Sequence, residues 1–171
     1  RRVLFRSKQD DPFELRYIID HFVRNPEYGY IPTDSIVMTV DKAAVLKSGM
    51  KLVGGKDSIP DKINISLRGK RLVTKSEMMV YEMLANHDWT RPLYMSTTLG
   101  TENYAGLDNN LMLEGLAFRI VPYTINGGNG LDSDRMYDNM MRKFRYGNMK
   151  QKGIYVDETV MRMCYTHRAK F

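Results

Sequence analysis

A chain of 171 residues, 43% hydrophobic and 27% charged, is long enough for one well-filled domain and too balanced for a disordered or low-complexity segment. Its net charge of +6 permits an acidic partner, but the basic residues fall in separate clusters (Arg1, Arg2, Arg6; Arg68, Lys70, Arg71; Arg142, Lys143, Arg145) with acids between them. They read as solvated faces, and nucleic acid is not an expected partner. With Cys164 alone there is no intrachain disulfide or cysteine-based zinc cluster.

The chain starts at "RRVLFRSKQ", with no signal-peptide apolar region, and reads as a piece of something longer. The first predicted helix opens at "DPFE", with Asp11 as cap, Pro12 in the first turn and Glu14 completing a capping box. Leu15, Ile18, Ile19 and Phe22 then share a face until Asn25-Pro26 stops the pattern. "NPEYGYIPT", with Tyr28 and Tyr30, is a loop, and the β-branched "SIVMTV" a short strand. "DKAAVLKSGM" predicts a short helix ending near Gly49, and the Gly54-Gly55 pair a turn-rich connector.

"KINISL" alternates with Ile63, Ile65 and Leu67 on one side, as a strand requires. "TKSEMMVYEMLANHD" opens with a capping box from Thr74 to Glu77 and predicts a helix whose buried stripe is Met79, Val80, Met83 and Leu84. Strands are expected at "RPLYMST" and "AFRIVPY", with a helical turn at "LMLEGL" between them; two amphipathic helices, "SDRMYDNMMRKFRYG" and "DETVMRMCYTHRAKF", end the chain. The alternation predicts an α/β domain, a small sheet of about four strands flanked by amphipathic helices. The whole chain, residues 1–171, is taken as one domain.

Several residue groups could carry chemistry. Asp132 and Asp134, in "DSD", could hold Mg²⁺ or Mn²⁺ for a nucleotide-sugar diphosphate, since hard oxygen ligands suit those ions. They also sit where a helix begins, where acids cap free amides, and the cap is the favoured reading. "NGGNG" at 126–130 lies between a strand and a helix but matches no phosphate-binding pattern, and acids open the helix after it, so it reads as a connector. His21, His87 and His167 share no metal-binding spacing. Glu114 and Arg119 suit either catalysis or a structural ion pair, and the same choice applies to Arg91 beside Trp89. Trp89, Tyr94 and Tyr104 suit either sugar stacking or core packing. No cofactor is implied.

Four phrases in order carry a resemblance: "ANHDWTRPLYMSTT" at 85–98, "GLDNNLMLEGLAFRIVP" at 106–122, "LDSDRMYDNMMRKFRYGNM" at 131–149 and "VDETVMRM" at 156–163. Together with "YIPTDSIVMTVDKAAV" they resemble the soluble C-terminal region of bacterial multi-pass membrane proteins. That family is grouped with protein O-mannosyltransferase-like glycosyltransferases, which use lipid-linked sugars. The resemblance covers most of residues 28–165 and leaves 1–27 outside it.

The resemblance implies a parent with an N-terminal transmembrane bundle holding the sugar-transfer site, and an extracytoplasmic, periplasmic C-terminal domain to which this chain belongs. It further implies that strands completing the sheet lie upstream, and it assigns no catalytic residue here. The expected function is therefore non-catalytic: positioning an acceptor polypeptide or a glycan near the parent's own transmembrane region. Trp89, Arg91, Tyr94, Glu114 and Arg119 are the expected contacts. The alternative is a structural module whose methionine-lined helices dock onto the membrane part or another subunit.

Overall fold

The computed structural model describes residues 3–4, 12–25, 27, 30–53, 55, 58–70, 72–127, 129–145, 147–149 and 151–168. Arg1, Arg2, Arg6, the cap expected at Asp11, Tyr28, Gly54, Arg71, Gly128 and the His167 side chain lie outside them. In chain order the elements begin with β1 (Val3–Leu4), β2 (Phe13–Glu14) and α1 (Leu15–Ile18), which continues as a π-helical turn over Ile19–Val23. Then come β3 (Ser35–Thr39), α2 (Lys42–Lys47), β4 (Lys62–Ser66), β5 (Leu72–Val73) and α3 (Lys75–Ala85). The second half holds β6 (Tyr94–Ser96), β7 (Leu111–Leu113), β8 (Ala117–Ile120), β9 (Gly130–Leu131) and α4 (Ser133–Asp138), which runs into a π-helical turn over Asn139–Lys143. The last element is α5 (Glu158–Arg168).

The fold is α/β, as expected, with one four-stranded sheet, ordered β6-β8-β7-β9, of which β6 and β8 are expected strands. The chain adds a three-stranded sheet, β2-β3-β4, and a two-stranded ladder of β1 with β5. In the three-stranded sheet the antiparallel register sets Ile36 against Ile65 and Met38 against Ile63, so the alternation legible in the sequence delivers one apolar face. One cluster of buried side chains joins both larger sheets, running from Leu15, Ile36 and Ile65 through Leu84 to Leu111, Met112 and Tyr123. Among the described residues no helix is long and apolar enough to cross a membrane.

Side-chain caps fix the starts of α2, α3 and α4. Asp41 accepts from the Ala44 amide at 3.0 Å, and the Thr74–Glu77 capping box is complete in both directions.

Tertiary pairing overrides local signals in four places. The first helix starts at Leu15 because Phe13–Glu14 pairs in parallel with Ile36–Val37, and the Glu14 carboxylate accepts from the Thr39 amide at 3.1 Å. "LMLEGL" is a strand at its start, because β7 fills the slot between β8 and β9 and its backbone groups are paired on both sides. The glycine-rich connector leads into β9, parallel to β7, before α4 begins. On α3 the buried residues are Glu77, Tyr81 and Leu84, while Met79 and Met83 are 68% and 53% exposed. This rotation lets the Tyr81 hydroxyl donate to the Ala105 carbonyl at 3.0 Å inside the core, a bond a purely apolar stripe would forgo.

Candidate functional site

The β7–β8 hairpin positions the central carboxylate. Its turn is Gly115–Leu116, with the Glu114 amide donating to the Ala117 carbonyl at 3.1 Å. Gly115 has φ +130°, and an added Cβ there would lie 3.4 Å from Phe144 Cζ; only glycine adopts that backbone without strain. The turn points Glu114 inward, where it is 4% exposed, next to Arg119 at 1%. Register sets Tyr94 on β6 directly across from Arg119 on β8.

Glu114 gathers three donors. The Tyr94 hydroxyl donates to Oε2 at 2.8 Å, Arg119 Nη1 to Oε1 at 3.5 Å, and Arg135 Nη1 to Oε2 at 3.4 Å. Asn139 Nδ2 donates to the Glu114 carbonyl at 2.6 Å. Both arginines also tie this hairpin to the end of α2: Arg119 Nη2 donates to the Ser48 carbonyl at 3.4 Å, and Arg135 Nη2 to that of Gly49. Charge-assisted N–H···O bonds run ~2.7–2.9 Å, so the two guanidinium contacts are long, and Arg119 Nε is buried with no hydrogen-bond partner among the described residues. Such a pair does little for net stability, yet removing one member strands a buried charge. Its work is to hold Tyr94 in place.

Tyr94 stands at the rim of a cleft of about 660 Å³, whose other walls include Lys51, Asp132, Asp134, Arg135 and Lys143. Asp132 is the cap of α4, accepting from the Arg135 amide at 3.1 Å. Lys51 Nζ sits 3.6 Å from Asp132 Oδ1 and 3.3 Å from Asp134 Oδ2; the Asp134 hydrogen bond raises its pKa, against some desolvation. Lys143 lies 2.6 Å from Asp138 and holds that carboxyl below its ordinary range. The cleft is polar with its charges paired internally, and both aspartates of "DSD" already face an ammonium group. Among the described residues no set of three or more His, Cys, Asp or Glu side chains is arranged to hold a metal.

Tyr94 remains 47% exposed, with its hydroxyl fixed and its pKa raised, first by partial burial and then by Glu114. A ring so held offers an apolar face beside polar groups, which is the surface a sugar or an extended peptide can pack on.

The structure brings Tyr94, Glu114 and Arg119 together and leaves the other two expected contacts apart. Trp89 is 2% exposed at φ +64°, edge-on to His87 with ring centroids 4.7 Å apart; a buried indole has no free face to stack on. Arg91 is exposed ahead of β6 and does not line the cleft. Tyr104 is also buried, edge-on to Phe118. Arg135, Asn139 and Lys51 escaped the sequence reading. With Asp132 as cap, Arg135 and Asn139 fall one turn apart on one face of the helix, a legible signal; Lys51 arrives from a loop some eighty residues away, which nothing local announces.

The profile of the family described as TMEM260-associated domain 2 matches residues 3–140, well over half the chain. The chain belongs to that family. The matched span covers the hairpin, the Tyr94 cluster and the start of the helix carrying Arg135 and Asn139, so the cleft walls belong to the TMEM260-associated domain itself, whereas Lys143 and α5 follow it. No curated protein and no solved structure matches the chain significantly.

Proposed function

We propose that this TMEM260-associated domain is the non-catalytic, extracytoplasmic part of a membrane-bound glycosyltransferase-like protein related to protein O-mannosyltransferases, and that it positions an acceptor polypeptide or glycan near the parent's transmembrane region. One observation carries the binding reading: a half-exposed tyrosine, Tyr94, is locked by the buried Glu114 carboxylate at the rim of a polar cleft. Rigid aromatic faces beside polar groups bind with little loss of side-chain freedom. The paired charges suit a neutral ligand, because a free anion or cation would have to displace an existing partner.

The test is titration of the folded chain with a panel of neutral oligosaccharides and extended peptides, followed by calorimetry or NMR. Saturable binding that Tyr94→Ala weakens about tenfold, with the fold intact, supports the reading. Absence of binding across the panel, together with full activity of a parent lacking the domain, defeats it.

A docking role without ligand has its own support in exposed apolar side chains on the last helices: Tyr137, Met141, Met161 and Met163 are each more than half exposed. Retained assembly after Tyr137→Ser and Met141→Ser would count against it.

A further inference from the structure

Charge and exposure coincide at one end of this chain. Residues 1–140 hold eighteen Lys and Arg against eighteen Asp and Glu and are neutral; residues 141–171 hold eight against two, so the whole net charge of +6 lies there. The segment is both richer in bases and poorer in acids than the rest of the chain. The family match stops at residue 140, so the charge sits outside the matched span.

The same segment leaves apolar side chains in water. From Glu158 to Thr166 every side chain of α5 is exposed except Cys164, which is half-buried. At about 100° per residue, Val160, Met161 and Cys164 fall on one side, flanked by Met163 and Tyr165, with Arg162 and Thr166 opposite. Tyr155, just before the helix, is 86% exposed. Arg142 and Lys143 share Asp138, but Arg145, Lys152 and Arg162 are exposed and make no ion pair among the described residues.

We propose that α5, together with Arg145 and Lys152 ahead of it, forms an adsorption surface for an anionic lipid bilayer. In this arrangement α5 lies in the plane of the interface, its Val160–Met161 side enters the headgroup boundary, Arg145 and Lys152 meet lipid phosphates, and Arg162, on the opposite side of the helix, adds its charge to the attraction from the aqueous face. Basic residues together with exposed apolar ones on a short helix are what interfacial binding uses. At roughly 1.5 Å per residue, α5 is far too short to span a membrane. A second copy of the chain is a poor occupant, because it would bring two segments of +6 together. A nucleic acid would satisfy the cations and leave the Val160–Met161 side in water. The proposal stands independently of the cleft.

The experiment is co-sedimentation of the 171-residue chain with vesicles of phosphatidylcholine alone, and of phosphatidylcholine with about one third phosphatidylglycerol, at roughly 50 and roughly 300 mM salt. The expected result is binding to the anionic vesicles only, weaker at the higher salt. V160S/M161S, which leaves the charge unchanged, should bind about tenfold more weakly, and R145E/K152E/R162E about a hundredfold more weakly. Circular dichroism and denaturation midpoints should match the parent chain for both variants. Should the α5 variant lose its helix, the charge variant, two of whose three sites lie outside α5, carries the test alone. Tyr94→Ala should leave vesicle binding unchanged, which separates this result from the fate of the cleft. The proposal is overturned by no binding to anionic vesicles, by binding that V160S/M161S leaves untouched, by tighter binding of a single-stranded oligonucleotide than of vesicles, or by a dimer that V160S/M161S dissolves in the absence of vesicle binding.

Discussion

The Glu114 cluster and the C-terminal helix use the same residue types to opposite ends. In the cluster, arginine and tyrosine are tied to one buried carboxylate and to backbone carbonyls. On α5, Arg162, Tyr165, Met161 and Met163 are exposed, with no such ties among the described residues. Composition does not separate them; partners do. A charge with a buried counterpart fixes geometry, whereas a charge without one remains available for something outside the chain.

The sharpest way to break this comparison is to remove the carboxylate. Glu114→Ala strands Arg119 in the interior and should cost roughly 3–5 kcal/mol in urea denaturation. A loss under about 1 kcal/mol would mean the arginine finds water, and the cluster is no more structural than α5. Next in size is a paired truncation. Leu84→Ala, at a core position 1% exposed, should cost about 2–5 kcal/mol, whereas Met161→Ala on α5 should stay within about 0.5 kcal/mol. Equal costs would place α5 in a packed environment and remove the contrast.

The smallest effects are read by pH. His87, packed against Trp89, has its pKa lowered below 6.5, chiefly by burial and also by Arg119, although Asp88 opposes the shift. The unfolded chain then takes up the proton first, so stability is full above pH 6.5 and falls as pH drops from 6.5 through the folded-state value. Glu77 is desolvated, which acts to raise its pKa, but Lys70 and Thr74 outweigh this and hold it below 4.5. Its contribution is present above pH 4.5 and is lost as pH falls through the lowered value. His87→Gln should abolish the upper step and leave the lower one, measured as denaturation midpoint against pH; an unchanged upper step would refute the assignment.

Much of this was legible in the sequence where the signal is local. The Thr74–Glu77 box, the Asp132 cap and the alternation of Ile63, Ile65 and Leu67 each depend on residues a few positions apart, and the structure realises all three. The buried face of α3 was misjudged because hydrophobicity favours Met79 and Met83, while the helix turns Tyr81 and Glu77 inward to reach partners at Ala105, Thr74 and Lys70. Trp89 was misplaced for a related reason: stacking on a ligand and packing in a core use the same residue type.

By itself the sequence determined the class of fold, the starts of the capped helices and, through a C-terminal segment rich in bases and poor in acids, where the net charge lies. These are sums and short-range patterns. Tertiary structure alone decided that Lys51 meets Asp132 and Asp134 across some eighty residues, that Tyr94 is held by Glu114, and that Trp89 is buried. Those facts depend on which strand lies beside which. Pairing free energy is set by partners distant in the chain, and no local propensity encodes it.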